Sequence, residues 1–304
     1  MNIGEGEEVL LEICHLYNEM KDNGTYTRAA FLRAASHIEG VYIPSLYDVS
    51  YNEDGTIKEY RPLYDDVPTK IKKRIVEDLD NAPYPDKLIM PYVETVHDRI
   101  VLEVYRGCIR GCRFCQAGMV YRPVREKTPG VLNEQAKCLF EATGYDEISL
   151  SSLSISDYSR LPELTDNLLE WTDDNMISLS LPSLRVDSFT KELMDKISTV
   201  RTGSLTFAPE AGSQRLRDVI NKNVCEADLL RAVNVGFDAG KTSCKLYFMM
   251  GLPTETNEDL DGIADLAKAV IEAYYANPNR QKGRAPIRRR KSKPQTQFFS
   301  CDLE

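Results

Sequence analysis

Residues 100–118 read Ile100-Val-Leu-Glu-Val-Tyr105-Arg-Gly-Cys108-Ile-Arg-Gly-Cys112-Arg-Phe-Cys115-Gln-Ala-Gly118. A β-branched apolar run, the composition of a strand, ends in three cysteines spaced C-x3-C-x2-C. Three thiolates can hold three irons of a cubane cluster and leave the fourth iron without a protein ligand. An iron left open at a strand-to-loop junction is a place where a small molecule can be chelated and given an electron. A structural zinc site would be closed by a fourth ligand. The next cysteine, Cys138, lies well downstream and the nearest histidine, His97, precedes the strand. Zinc with a distant fourth ligand and a closed four-cysteine cluster are the competing readings.

Working outward, strands and helices alternate from Arg99 onward. Strands are expected at Arg99–Tyr105, Glu147–Ser152, Ile177–Leu181, Ser204–Phe207 and Ser243–Met249. Helices are expected near 131–143, 161–171, 190–198, 213–220, 227–239 and 258–276. Thr128-Pro-Gly opens the first, Gly144 closes it, and Thr256 with Asp259 can cap the last. Repeated βα units imply a parallel sheet covered by helices. In barrels of this kind chemistry sits at the carboxyl ends of the strands, and the cysteines follow the first strand directly. Upstream, the pattern predicts helices over 7–20 and from Thr27 to Gly40, a hairpin of Tyr47–Tyr51 with Thr56–Tyr60, and a charged helix over Pro68–Leu79. A proline-bearing segment to Pro91 reads as a linker.

The composition is that of an ordinary globular chain: 304 residues, 42% hydrophobic and 28% charged. No apolar stretch approaches the roughly 20 residues of a membrane-spanning helix, and the N-terminus lacks a signal-peptide pattern. Eight cysteines without an export signal argue for a reducing cytoplasm. The net charge is −9, yet 280–293 holds eight basic residues and no acidic one. Without them, 30 basic residues face 47 acidic ones, so the body gives no support for broad nucleic-acid binding. Around the cysteines, Arg106, Arg110, Arg113, Arg122, Arg125 and Lys127 face only Glu126. That field either stabilises an electron-rich cluster and docks an acidic donor, or is a solvated loop. Tyr121 and Arg122, just after the cysteines, are candidates to line a substrate cavity. Cys14, Cys138, Cys225, Cys244 and Cys301 read as ordinary thiols.

With Phe114 as the aromatic residue before Cys115, the run resembles the C-x3-C-x-aromatic-C motif of the radical S-adenosylmethionine (SAM) superfamily. The resemblance extends over 95–276. It implies an α/β fold, a partial parallel (β/α) barrel of five or six strands, here with an N-terminal α+β extension. It also implies a [4Fe-4S] cluster on Cys108, Cys112 and Cys115, with SAM chelating the open iron. One electron, from a donor such as a flavodoxin or ferredoxin, then cleaves SAM to a 5′-deoxyadenosyl radical that abstracts hydrogen from a substrate the sequence does not name.

The resemblance places further residues on SAM. A Gly-Gly-Glu-like segment at the second strand holds the SAM amino group in the family, and Ser151 and Ser152 occupy that place here. Arg185, after the third strand, is expected on the SAM carboxylate; a surface ion pair is the other reading. Phe207-Ala-Pro-Glu-Ala-Gly-Ser-Gln-Arg215 is similar to the Glu-x-Gly-Ser segment of methylthiotransferase-like members, which implies Glu210 on the ribose hydroxyls and Ser213 as a helix cap. Met250–Thr256 resembles the segment near the adenine, or is a plain strand-to-helix turn.

The whole chain looks closest to uncharacterised bacterial radical SAM proteins that carry a cobalamin-binding-like domain before the core. No Asp-x-His-x-x-Gly motif occurs, so cobalamin is not supported by this chain. Residues 1–92 are then expected to be the remnant of an upstream domain, 93–276 the core, and 277–304 a basic tail that is disordered or aberrant. The charge run denies that tail a buried strand, so the sixth strand is expected to be missing and the strand at Ser243–Met249 to keep an unpaired edge. Two other functions stay open: a non-catalytic iron–sulfur protein for electron transfer or redox sensing, and an inactive fragment.

Overall fold

The computed structural model describes residues 1–93, 95–182, 185–186, 205–280, 288–291 and 298–303. The chain divides into two compact units, Met1–Pro83 and Tyr84–Glu304.

In the first unit, helices α1 (Glu7–Asp22) and α2 (Arg28–Ala35) precede the antiparallel hairpin of β1 (Tyr47–Tyr51) and β2 (Ile57–Pro62). Thr27 caps α2, its Oγ1 accepting from the Ala30 N–H at 3.1 Å. Val9, Ala35, Val41, Ile43, Leu46, Tyr47 and Val67 form the buried core. The charged helix expected over Pro68–Leu79 is not there. Its backbone groups are taken by the N-terminus: Arg74 N–H donates to Ile3 O at 3.0 Å, and Arg74 O accepts from Glu5 N–H at 3.1 Å. The Arg74 side chain bonds Glu8 and Glu12 of α1. These long-range bonds hold the segment extended, and no residue-spacing rule could show them.

The second unit is a βα alternation. Its elements run β3 (Ile100–Glu103), β4 (Tyr105–Arg106), α3 (Ala117–Val120), β5 (Arg125–Glu126), α4 (Pro129–Thr143), β6 (Glu147–Ser151), α5 (Leu161–Thr172) and β7 (Ser178–Ser180). They continue with β8 (Leu205–Glu210), α6 (Gln214–Val219), α7 (Glu226–Asp238), β9 (Cys244–Met249), α8 (Asn257–Ala276), β10 (Arg288–Lys291) and β11 (Phe298–Leu303). The helix expected over 190–198 lies outside the described residues. Strands β3, β6 and β7 pair in parallel, with Ile100 opposite Ile148 and Glu147 opposite Ser178. Strands β8 and β9 form a second parallel pair.

Each arc has its own core. Ile100, Leu102, Ile148 and Leu150 of the first are fully buried against Leu132, Leu139, Leu164 and Leu168 from α4 and α5. Phe207, Leu246 and Phe248 of the second are buried against Leu229, Val233 and Phe237 of α7 and Leu266 and Val270 of α8. Every second residue of β9 is buried, so the other set is left for a different surface.

The tail corrects another expectation. Rather than leaving β9 with a bare edge, β11 pairs with it antiparallel from Phe298 opposite Met249 to Leu303 opposite Cys244, and β10 pairs with β11. An unpaired edge strand presents a row of unsatisfied N–H and C=O groups, and this hairpin satisfies them whatever charge its side chains carry.

Candidate active site

The loop that carries the three cysteines is clamped at its base. Strands β4 and β5 pair antiparallel, Tyr105 opposite Glu126 and Arg106 opposite Arg125, so the chain leaves and returns at one point. Gly107 sits at that point with φ +96°, and a Cβ there would stand 2.8 Å from both Tyr121 O and Pro123 O. Only glycine permits this closure. Across the loop, Arg122 donates to Cys108 O at 3.3 Å and Arg110 O at 3.2 Å. From the other arc, Asn221 Nδ2 donates to Gly111 O at 2.8 Å, and Arg113 N–H to Ile220 O at 2.9 Å. Phe114 packs with Ala211, Leu216, Ile220 and Leu252.

Beside this loop lies a cavity of about 380 Å³, in the size range of small-molecule sites. Cys108, Cys112, Phe114 and Cys115 form one wall. Leu153 and Ser154 after β6, Arg185 and Val186 after β7, Glu210 at the end of β8, and Lys222 after α6 form the rest. The cavity therefore sits at the carboxyl ends of the parallel strands. All three cysteines are free and partly buried. The Arg110 N–H faces Cys108 Sγ at 3.4 Å.

Charge inside the cavity is arranged in pairs. Arg110 Nε donates to Asp157 Oδ2 at 3.0 Å, and the Asp157 side chain is only 7% exposed. Burial is the largest single influence and pushes that carboxyl up, but the Arg110 hydrogen bond, the Ser154 side chain and the charges of Arg110 and Arg185 together hold Asp157 below the usual carboxylate range. On the opposite wall Lys222 Nζ donates to Glu210 Oε1 at 3.1 Å, with the side chains 12% and 13% exposed. Burial pushes the Cys112 thiol up, against the pull of the cations Lys222 and Arg185. Behind the wall, Tyr105 donates to Ser154 O and stacks on Tyr158, whose hydroxyl donates to Lys127 O at 2.8 Å. Burial pushes the Tyr105 hydroxyl up to about 12.

Of the residues singled out from sequence, Cys108, Cys112, Cys115, Phe114, Arg185 and Glu210 meet at this one cavity. Ser151 and Ser152 do not line it. The Ser151 carbonyl accepts from the Val104 N–H at 2.9 Å, so sheet pairing consumes it. The next two residues, Leu153 and Ser154, reach the cavity instead, and Ser154 Oγ is buried without a hydrogen-bond partner of normal geometry. Met250–Thr256 does not line it either; Leu252 packs behind Phe114. Arg122 holds loop carbonyls, and Arg106 and Arg110 bond Glu103 and Asp157, so much of the basic field builds the loop itself. Ser213 caps α6, accepting from the Leu216 N–H at 3.1 Å. Lys222 was not legible beforehand: it is one cation in an Asn-Lys-Asn turn, with no motif to mark it. Among the described residues, no three His, Cys, Asp or Glu side chains are gathered as ligands of a single metal ion. A cubane spreads its thiolates over different irons, so the two geometries differ.

Residues 102–267 match the model of the radical SAM superfamily. The chain belongs to that superfamily. Residues 1–44 also match the family described as radical SAM proteins, N-terminal. An uncharacterized protein of Methanocaldococcus jannaschii is 34% identical over 214 residues, which cover 67% of this chain and 47% of that protein. The tRNA-2-methylthio-N(6)-dimethylallyladenosine synthase of Hydrogenobaculum sp. is 23% identical over 68% of this chain and 49% of the relative. The chain thus spans about half the length of these curated relatives.

Among solved structures, the radical SAM methyltransferase TsrM from Kitasatospora setae, with cobalamin and a [4Fe-4S] cluster bound, superposes with a TM-score of 0.59 at 13% identity. The match covers 88% of this chain and 50% of that one. The fold is a partial radical SAM barrel, as the resemblance implied. Radical SAM proteins are enzymes that bind a [4Fe-4S] cluster and SAM. No described helix is long and apolar enough to cross a membrane.

Proposed function

We propose that Cys108, Cys112 and Cys115 hold a [4Fe-4S] cluster, and that this chain binds SAM in the adjoining cavity and cleaves it reductively. The observation that carries the reading is convergence. Three thiols from one loop, Arg185 from the first arc and Glu210 from the second border the same cavity, although more than a hundred residues separate the first from the last.

The donor chemistry fits the cluster: three free, half-buried thiols from one loop, with a backbone N–H facing one of them. When bound, the cluster and SAM supply one-electron cleavage of the sulfonium to methionine and a 5′-deoxyadenosyl radical, the electron coming from a low-potential donor such as a flavodoxin or ferredoxin. The chain's own residues do the rest. Arg185 offers a planar fork to a carboxylate. Glu210 offers acceptors to vicinal hydroxyls. Phe114 and Val186 give the cavity an apolar lining beside the reacting centre.

The curated relative acts on tRNA by its name, and the structural neighbour is a methyltransferase. Transfer of a one-carbon or methylthio group is the reaction class they suggest for the whole protein. The test is anaerobic reconstitution with iron and sulfide, followed by SAM and dithionite. 5′-Deoxyadenosine should form in proportion to chain. A fully loaded chain whose spectrum ignores SAM and which yields no 5′-deoxyadenosine would be an electron carrier or sensor instead.

A further inference from the structure

We infer that Lys222 is a positioning residue for the SAM site: it fixes the Glu210 carboxylate in the orientation that receives ligand hydroxyls. The inference rests on the reading of the cavity given above and adds a residue to it.

Backbone geometry is the first support. Both partners of the Lys222–Glu210 pair sit on distorted chain. Glu210 has φ +68°, and the β8–β9 register slips between Phe207 and Glu210. Lys222 stands between Asn221 at φ +54° and Asn223 at φ +53°. Left-handed conformations of residues other than glycine are uncommon, and asparagine is among those that tolerate them best. Such conformations persist where the surrounding structure over-determines them, and they cluster at ligand sites. Here the fixings are visible: the Lys222 N–H donates to Arg217 O at 2.9 Å, and Asn221 Nδ2 ties the same turn to Gly111 of the cysteine loop.

Placement is the second. The side chain runs from that turn past the Phe114 ring, with Nζ 5.9 Å from its centroid, to Glu210. The residue lines the same cavity as Cys112.

Chemistry is the third. An ionised carboxylate has about four acceptor positions, and Lys222 occupies one on Oε1, leaving the others for two hydroxyl donors. A buried carboxylate whose cation is removed must be neutralised or move to find another partner. Either change takes the acceptors from the ligand. A lysine that only closed the wall would not show this coupling to Glu210.

The experiment uses this chain, reconstituted anaerobically, with SAM as the titrant and iron content measured in parallel. Lys222→Met, similar in length but uncharged, should keep its iron and weaken SAM binding roughly tenfold, the scale of one charge-assisted contact. Lys222→Arg should restore most of the affinity. Glu210→Gln should also weaken binding, and adding Lys222→Met to it should cost nothing further, because the lysine acts through the carboxylate. Unchanged affinity in Lys222→Met at full iron would overturn the inference, as would losses that simply add in the double variant. Loss of iron from Lys222→Met would also overturn it, placing the lysine's role on the cluster. If the parent chain, fully loaded, binds no SAM, the proposed function itself falls and the inference with it.

Discussion

At the scale of the residue, the three cysteines stand or fall as a set. Each anchors a different iron, so Cys112→Ala should take the brown absorbance and about four irons per chain away together. Retention of the full iron complement by that variant would show that the ligands lie elsewhere. Arg185 and Glu210 face the cavity from opposite arcs, so Arg185→Ala and Glu210→Ala should each leave iron in place and weaken SAM binding. A lost charge-assisted hydrogen bond is worth about 1.5–3 kcal/mol, or roughly ten- to a hundredfold in affinity. Unaltered SAM titrations in both would leave them as plain ion-pair residues. That the cysteines, Arg185 and Glu210 would border one cavity was legible because their neighbours in sequence mark them. Ser154 was not: where β6 ends and which carbonyl the sheet consumes are decided by pairing with β3, and a shift of two residues along Ser151–Ser154 is invisible in a run of serines.

At the scale of the element, the junction between β8 and α8 shows how the second arc is held. Gly212 lies so close to α8 that a Cβ would stand 2.5 Å from Asp259 O and 2.2 Å from Ile263 N. Backbone thus packs on backbone, and Asp259 secures the contact. Its carboxylate accepts from Thr256 N–H at 2.8 Å, closing the capping box of α8, and also bonds Ser213 and Arg215. The Arg215 hydrogen bond leads in holding Asp259 well below the usual carboxylate range. A depressed carboxylate contributes stability that is fully present above its unfolded pKa, about 3.9, and is lost as pH falls from there toward the folded value. Asp259→Ala should therefore lower stability by about 2 kcal/mol near neutral pH, the loss of a cap plus buried hydrogen bonds. The deficit should shrink as the pH drops below about 4. Denaturant melts at pH 7 and pH 3 check both parts, and a deficit that stays constant across them would mean the carboxylate's charge is not what matters. The Thr256–Asp259 cap was legible from spacing alone, whereas the extended course of 68–79 was not, since its hydrogen bonds go to residues 3 and 5.

At the scale of the whole molecule, the βα order could be read from apolar periodicity, but the way the second sheet ends could not. The basic run 280–293 argued against a buried strand, and side-chain charge was the wrong quantity to weigh. What β9 requires from its neighbour is backbone N–H and C=O groups, which any non-proline residue supplies. Phe298–Leu303, beyond the charge run, supplies them in antiparallel register, where the parallel family pattern led to the expectation of a missing sixth strand. Successive amides of a strand point to alternate sides, so only a strand with two neighbours has every amide bonded. Hydrogen exchange on the intact chain separates the cases. With β8 on one side and β11 on the other, all the amides of Cys244–Met249 should exchange slowly, at rates close to those of β6 between β3 and β7. If instead every second amide of β9 exchanged quickly while its neighbours stayed protected, the outer edge of β9 would be bare in solution, and the sheet would end at β9.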